Sequence, residues 1–212
     1  MSLTQSDGLF VAVHEDGFND FITAFFSARP RYLKFGSPLF VPSTTVSATA
    51  VPAIAFPNIP GGINYMVEFE RPVLDLYPDT KGFDLPPLPN QFSMQIKVRL
   101  TLACIQKISR GDEHKKYPKS EPIHTDLVVC ASGSIDRGPI DLGLHIDQVE
   151  IKDITPDSLE SIIECIIRMM LQAALAPMRI PYDAIGIGIG NIVPADGPRI
   201  QDDQVQLSAN FI

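Results

Sequence analysis

Cysteine is scarce in this sequence: Cys104, Cys130 and Cys165 are the only three in 212 residues. Three cannot close a disulfide framework, and their wide spacing matches no zinc pattern. Basic side chains are also few, with 17 Lys and Arg against 25 Asp and Glu, a formal charge of −8 and a pI near 4.9. Nucleic acid and anionic lipid headgroups both recruit basic patches, so this balance excludes a protein that lives on either. No window approaches 18 uninterrupted apolar residues, which excludes a membrane-spanning helix. The opening Met1-Ser-Leu-Thr-Gln-Ser-Asp-Gly8 lacks the basic start and apolar stretch of a signal peptide. A reducing, cytoplasmic setting is the expectation, with signal-free export left open.

Catalytic signatures are missing too. There is no G-x-S-x-G elbow, P-loop, H-E-x-x-H or C-x-x-C. The run Gly186-Ile-Gly-Ile-Gly190 lacks the G-x-G-x-x-G spacing and is followed by Pro194 and Gly197-Pro198 rather than by a helix signal, so it does not read as a dinucleotide loop. His124 and Asp126, and likewise His145 and Asp147, stand two apart on alternating segments, and a hairpin turn at Asp136–Pro139 would bring Cys130 near His145. These are borderline zinc ligands. They also sit on what reads as the polar face of a sheet, where His and Asp are ordinary, so no metal site is assigned. The expectation is a protein that is not an enzyme and has no cofactor.

What is present is a core-forming composition, 45% apolar and 20% charged, near the globular norms of about 45–50% and about 25%. One domain over 1–212 is expected. Eleven of the 19 prolines fall within residues 30–89, which reads as an irregular section, since proline lacks the ladder N–H. Within it Leu85-Pro-Pro-Leu-Pro89 suits a rigid extended link better than a polyproline ligand. Before it, Phe18, Phe21, Ile22, Phe25 and Phe26 recur at helical spacing and predict a short amphipathic helix at about 16–28, opened by Glu15-Asp16 and closed by Arg29-Pro30.

Beyond residue 90 the pattern turns regular. Phe92, Met94, Ile96, Val98, Leu100, Leu102 and Cys104 alternate with polar residues and predict one long strand. Ser109–Ser120 reads as a polar hairpin tip, and its Arg110-Gly-Asp112 triplet as chance. Ile123–Ile135 forms the return strand, and Ile140–Ile146 a third, with a phase slip before Val149 that predicts a β-bulge. Thr155-Pro-Asp157 then opens a helix at about 156–176 that is apolar over most of its circumference, with one polar line of Asp157, Ser161, Glu164, Arg168 and Gln172. Such a helix is expected to be enclosed. Two further strands follow at Ile185–Ile189 and Val205–Phe211.

The expected fold class is α+β, with a long curved antiparallel sheet wrapped around that long apolar helix. The order of elements resembles the tubular lipid-binding (TULIP) superfamily. The resemblance lies in Phe18–Phe26, in Phe92–Cys104, and in the closing unit of Leu159–Leu175, Met178–Tyr182, Ile185–Ile189 and Ile200–Phe211. It implies a non-catalytic protein that holds a lipid or another long apolar ligand between helix and sheet. On that implication Ile163, Ile166, Ile167, Met169 and Met170 of the helix, with Phe92, Met94, Ile96 and Val98 of the strand, are the expected lining. The rival expectation is a structural or interaction subunit of a bacterial assembly, its core filled by its own side chains and its partners other proteins.

Overall fold

Strand formation dominates the chain. The computed structural model describes residues 9–42, 47–57, 59–76, 87–107, 116–118, 121–151, 154, 157–182, 192–201 and 203–211. Contacts divide the chain into two compact units: Met1–Phe25, Pro72–Ile96 and Val129–Ile212 form the first, and Phe26–Arg71 with Lys97–Val128 the second.

In the first unit, β1 (Leu9–His14) pairs antiparallel with β13 (Gln204–Phe211), which pairs with β12 (Ile192–Gln201). A second set of strands places β10 (Asp141–Ile151) between β9 (Ile123–Arg137) and the short β11 (Arg179–Pro181). The phase slip in the sequence is a bulge here: the register shifts between Ile146 and Gln148, leaving Asp147 out of the ladder. Gly133 of β9 sits at this point for steric reasons. A Cβ there would lie 2.1 Å from the His145 carbonyl oxygen and 2.6 Å from the Phe92 ring. The short β6 (Val73–Asp75) pairs with Ser93–Gln95 at the start of β7 (Phe92–Lys107).

In the second unit, β5 (Ile59–Phe69) is central, pairing with β7 over Val98–Cys104, with β2 (Lys34–Gly36) and with β4 (Ile54–Phe56). β2 also pairs, in parallel, with β3 (Thr49–Ala50). A single 3-10 turn, Pro30–Leu33, precedes β2. β8 (Lys116–Pro118) pairs with Ile105–Lys107. The buried Asn64 organises one corner: its Oδ1 accepts from the Ser37 hydroxyl at 2.9 Å and from the Leu39 N–H at 3.3 Å. Proline 30–89 thus punctuates short strands as well as links. Residues 77–86, which include Leu85 and Pro86, lie outside the described residues, as do Arg110–Asp112, Thr155-Pro156 and Ile185–Gly190.

Two α-helices, α1 (Glu15–Ala28) and α2 (Asp157–Leu175), complete the described elements. Here the architecture expected from sequence fails. The helix meant to be wrapped by the sheet is a 19-residue surface helix packed by one side on β10. Leu159, Ile162 and Met169 are 43%, 57% and 60% exposed, and Cys165 and Ala173 are exposed with them. The reason lies in the polar line, whose Glu164, Arg168 and Gln172 hydrogen-bond β10. Gln172 accepts from the Ile146 N–H at 2.7 Å and donates to the Leu144 carbonyl at 3.3 Å. Arg168 donates to the Ile146 carbonyl at 3.3 Å, and Glu164 accepts from the Ile151 N–H at 3.0 Å. Ile163, Ile167, Met170, Leu171, Ala174 and Leu175 are buried beside that line, and the apolar residues opposite are left outside. No described helix is long and apolar enough to cross a membrane.

Candidate functional site

The first unit contains an apolar crevice beneath α1. Helical spacing puts Phe18, Phe21 and Ile22 on its upper side, because residues three and four apart share a face. Strand alternation supplies Ile135 of β9, with Leu142 and Leu144 of β10, and β11 and its approach supply Ile180 and Met178. The free space amounts to about 10 Å³, room for a single water at most. Phe21, 36% exposed, stands at the edge and its ring centre lies 6.5 Å from that of Phe25. The helix above is held by main-chain anchors. Asn19 donates to the Leu74 carbonyl and accepts from the Leu74 N–H, both at 2.8 Å, while Glu15 accepts from the Leu76 N–H at 2.8 Å.

None of the nine residues expected to line a ligand site borders this crevice. Ile163, Ile167 and Met170 are buried on the β10 side of α2, Ile166 is half-buried, and Met169 is among the exposed residues. Phe92, Met94, Ile96 and Val98 are buried along β7. Phe18, Phe21 and Ile22 did stand out in the sequence, as one face of a helix. Ile135, Leu142 and Leu144 did not, because any alternating strand presents the same pattern. The pairing of β9, β10 and the short β11 decides which strand residues stand together there, and that pairing is not a side-chain property.

The polar candidates are not gathered into one site. His145 stands opposite Ser134, and Cys130 opposite Glu150, so the register keeps them from pairing as the hairpin reading expected. Asp147 accepts from Gln91 at 2.8 Å and lies 3.6 Å from His145. His124 hydrogen-bonds Thr101 at 3.0 Å, and Asp126 pairs with Arg99 at 2.9 Å. Among the described residues no group of three or more His, Cys, Asp or Glu is placed to hold a metal.

The second unit carries an open groove of about 370 Å³ whose charges are arranged in cross-strand pairs: Lys34 with Glu68 at 2.8 Å, Lys97 with Glu70 at 3.8 Å, and Arg99 with Asp126. Opposite charges on neighbouring strands satisfy one another, which is the ordinary way a sheet carries charge on a wet face. The hydrogen bond from Arg99 holds the Asp126 carboxyl below the usual carboxylate range and raises Arg99 in turn. A lowered carboxylate contributes stability at neutral pH that is lost as the pH falls through its folded-state value. Replacing Arg99 with alanine is expected to move the Asp126 titration upward, as followed by carboxyl NMR. An unchanged titration would show that the pair does not persist in solution.

No family model matches the chain, and no curated protein matches it. Among solved structures it is similar to lipopolysaccharide binding protein, at 11% identity and a TM-score of 0.35, over 99% of this chain and 41% of that one. The chain therefore spans less than half the length of that protein, and so loose an alignment transfers neither a residue nor a ligand.

Proposed function

We propose that this chain is a non-catalytic protein that binds a lipid or another long hydrophobic molecule, and that it does so at the crevice beneath α1. The supporting observation is the lining: Phe18, Phe21, Ile22, Ile135, Leu142, Leu144, Met178 and Ile180 converge from one helix, three strands and the approach to β11. Ligand pockets are mostly apolar with few polar groups. Because the free space is only about 10 Å³, a hydrocarbon chain must displace Phe21 and tilt α1 outward. The acidic exterior is unsuited to anionic headgroups, so the tail supplies the affinity. Methionine at 178 adapts to chains of varied shape.

Native mass spectrometry with organic extraction, followed by titration with a fluorescent fatty acid, tests this reading. A stoichiometric lipid mass or saturable fluorescence is expected. Phe21→Glu, which places a charge at the edge, should weaken fatty-acid binding by about tenfold or more, equivalent to about 1.4 kcal/mol. A protein that carries no lipid and shows no saturable binding sinks the proposal.

One observation favours a second reading, an interaction subunit. Leu159, Ile162, Ile166, Met169 and Ala173 follow a 3-4-3-4 spacing along the outer side of α2, the spacing with which helices pack against helices. An exposed apolar stripe of this kind is the usual mark of a protein contact.

A further inference from the structure

Two arginines stand near the end of the crevice where β9 turns into β10, on opposite faces of the sheet. Residues directly opposite one another in an antiparallel pair share a face. Ile135 stands opposite Leu144 and Arg137 opposite Leu142, and Ile135, Leu142 and Leu144 all line the crevice. Arg137 is therefore on the crevice side, about 6.8 Å along β9 from Ile135, with its Cβ about 5 Å from that of Leu142. Arg179 is on the other side. A Cβ at Gly143 would point away from Leu142 and Leu144 and strike the Arg179 guanidinium, which pairs there with Asp141 at 3.5 Å. Arg137 is exposed, and among the described residues no carboxylate pairs with it. The phenol at this end is engaged. Tyr182 is buried and donates its hydroxyl proton to the Gly138 carbonyl at 2.9 Å. Burial raises this phenol above its ordinary value, while Arg137 lowers it and Asp141 raises it. The charge of Arg137 thus reaches inward as far as the buried ring.

We propose that the crevice takes a long-chain carboxylate, its tail under α1 and its carboxylate on the Arg137 guanidinium. A guanidinium offers parallel N–H groups that match the two oxygens of a carboxylate. A carboxylate drawn into the apolar lining would lose its hydration without a partner, and Arg137 stands where that charge can stay at the surface. An uncharged chain gains nothing from the cation. The protein as a whole carries a net charge of −8, which disfavours anionic surfaces, and Arg137 is the local exception. Its position is fixed by the turn. The Gly138 N–H donates to the Asp141 carbonyl at 2.8 Å and the Tyr182 N–H to the Ile140 carbonyl at 3.0 Å, so little of the main chain has to be ordered on binding. This assignment rests on the crevice being the ligand site and adds to it the class of ligand.

The test uses the full chain with dodecanoate and dodecanol, which share a tail and differ in the charge of the head, each displacing a fluorescent fatty acid. Dodecanoate is expected to bind about five- to tenfold more tightly, between the effect of an exposed ion pair and that of a buried hydrogen bond to a charged group. The preference should shrink at high salt. Arg137→Gln should bring the two ligands level and leave the affinity for dodecanol unchanged, which also shows that the variant is folded. Arg179→Gln, on the other face, should keep the preference. Equal affinity for the two ligands in the unaltered protein overturns the carboxylate assignment and leaves the crevice reading standing. So does a preference that survives Arg137→Gln, or one that is lost in Arg179→Gln. Binding of neither ligand overturns both readings.

Discussion

Phe92→Ala is expected to cost about 3–5 kcal/mol of folding free energy, the range for removing a fully buried aromatic ring. Phe92 opens β7 and is wholly buried, and its ring rests on Gly133 of β9, close to where a Cβ would stand. A glycine cannot grow to fill the space left behind, so the void persists. Urea unfolding followed at probes within the first unit should show the full loss, with the melting temperature falling by roughly 6–20 °C. A loss below about 1 kcal/mol would mean that the ring is not packed as described. The same variant tests the lining expected from the sequence. If Phe92 lines a ligand site, fatty-acid affinity falls in the protein that remains folded. If the crevice beneath α1 is the site, affinity is unchanged.

The second large loss comes from adding volume where the first comes from removing it. Gly133→Ala adds one methyl group where the nearest atom is the His145 carbonyl oxygen, a main-chain group held by the bulge. Overpacking a tight interior costs typically about 1–3 kcal/mol, and this position belongs at the upper end because backbone cannot rotate aside. The expected loss is therefore about 3 kcal/mol. Adding Phe92→Leu to Gly133→Ala separates the two clashes. Shortening the ring relieves one of them and leaves the carbonyl, so the double variant should remain below Phe92→Leu alone by at least about 2 kcal/mol. Stability of Gly133→Ala within about 0.5 kcal/mol of the unaltered protein would show that β9 and β10 stand further apart.

These two positions also show how much could be read without coordinates. The alternation from Phe92 to Leu100 is carried by side chains pointing alternately to two faces of a strand, and those residues are buried in turn. At Thr101 the pattern breaks: Thr101 and Ala103 are buried and Leu102 is half-buried. Both faces are covered there, and no local signal announces that. The slip between Ile146 and Val149 was legible because a bulge shifts the phase of the apolar residues themselves. Gly133, which accommodates that bulge, was not singled out. Its role depends on a carbonyl 12 residues away, and a lone glycine in a strand has several explanations.

The crevice illustrates the same division. Phe18, Phe21 and Ile22 form one helix face by spacing alone, so their common orientation was readable. Which strands they would meet was not, since Ile135, Leu142 and Leu144 look like any inward-facing strand residues. The sequence by itself determined where the chain alternates, where it turns helical, and that α2 has one polar line in an apolar surface. Only the tertiary structure decided which way that line points. Helical periodicity reports how side chains are distributed around an axis, and it is silent about what lies outside each face. A polar strip can satisfy water or the free main-chain groups of a strand edge. In this protein Glu164, Arg168 and Gln172 satisfy the edge of β10, which leaves Leu159, Ile162 and Met169 facing outward.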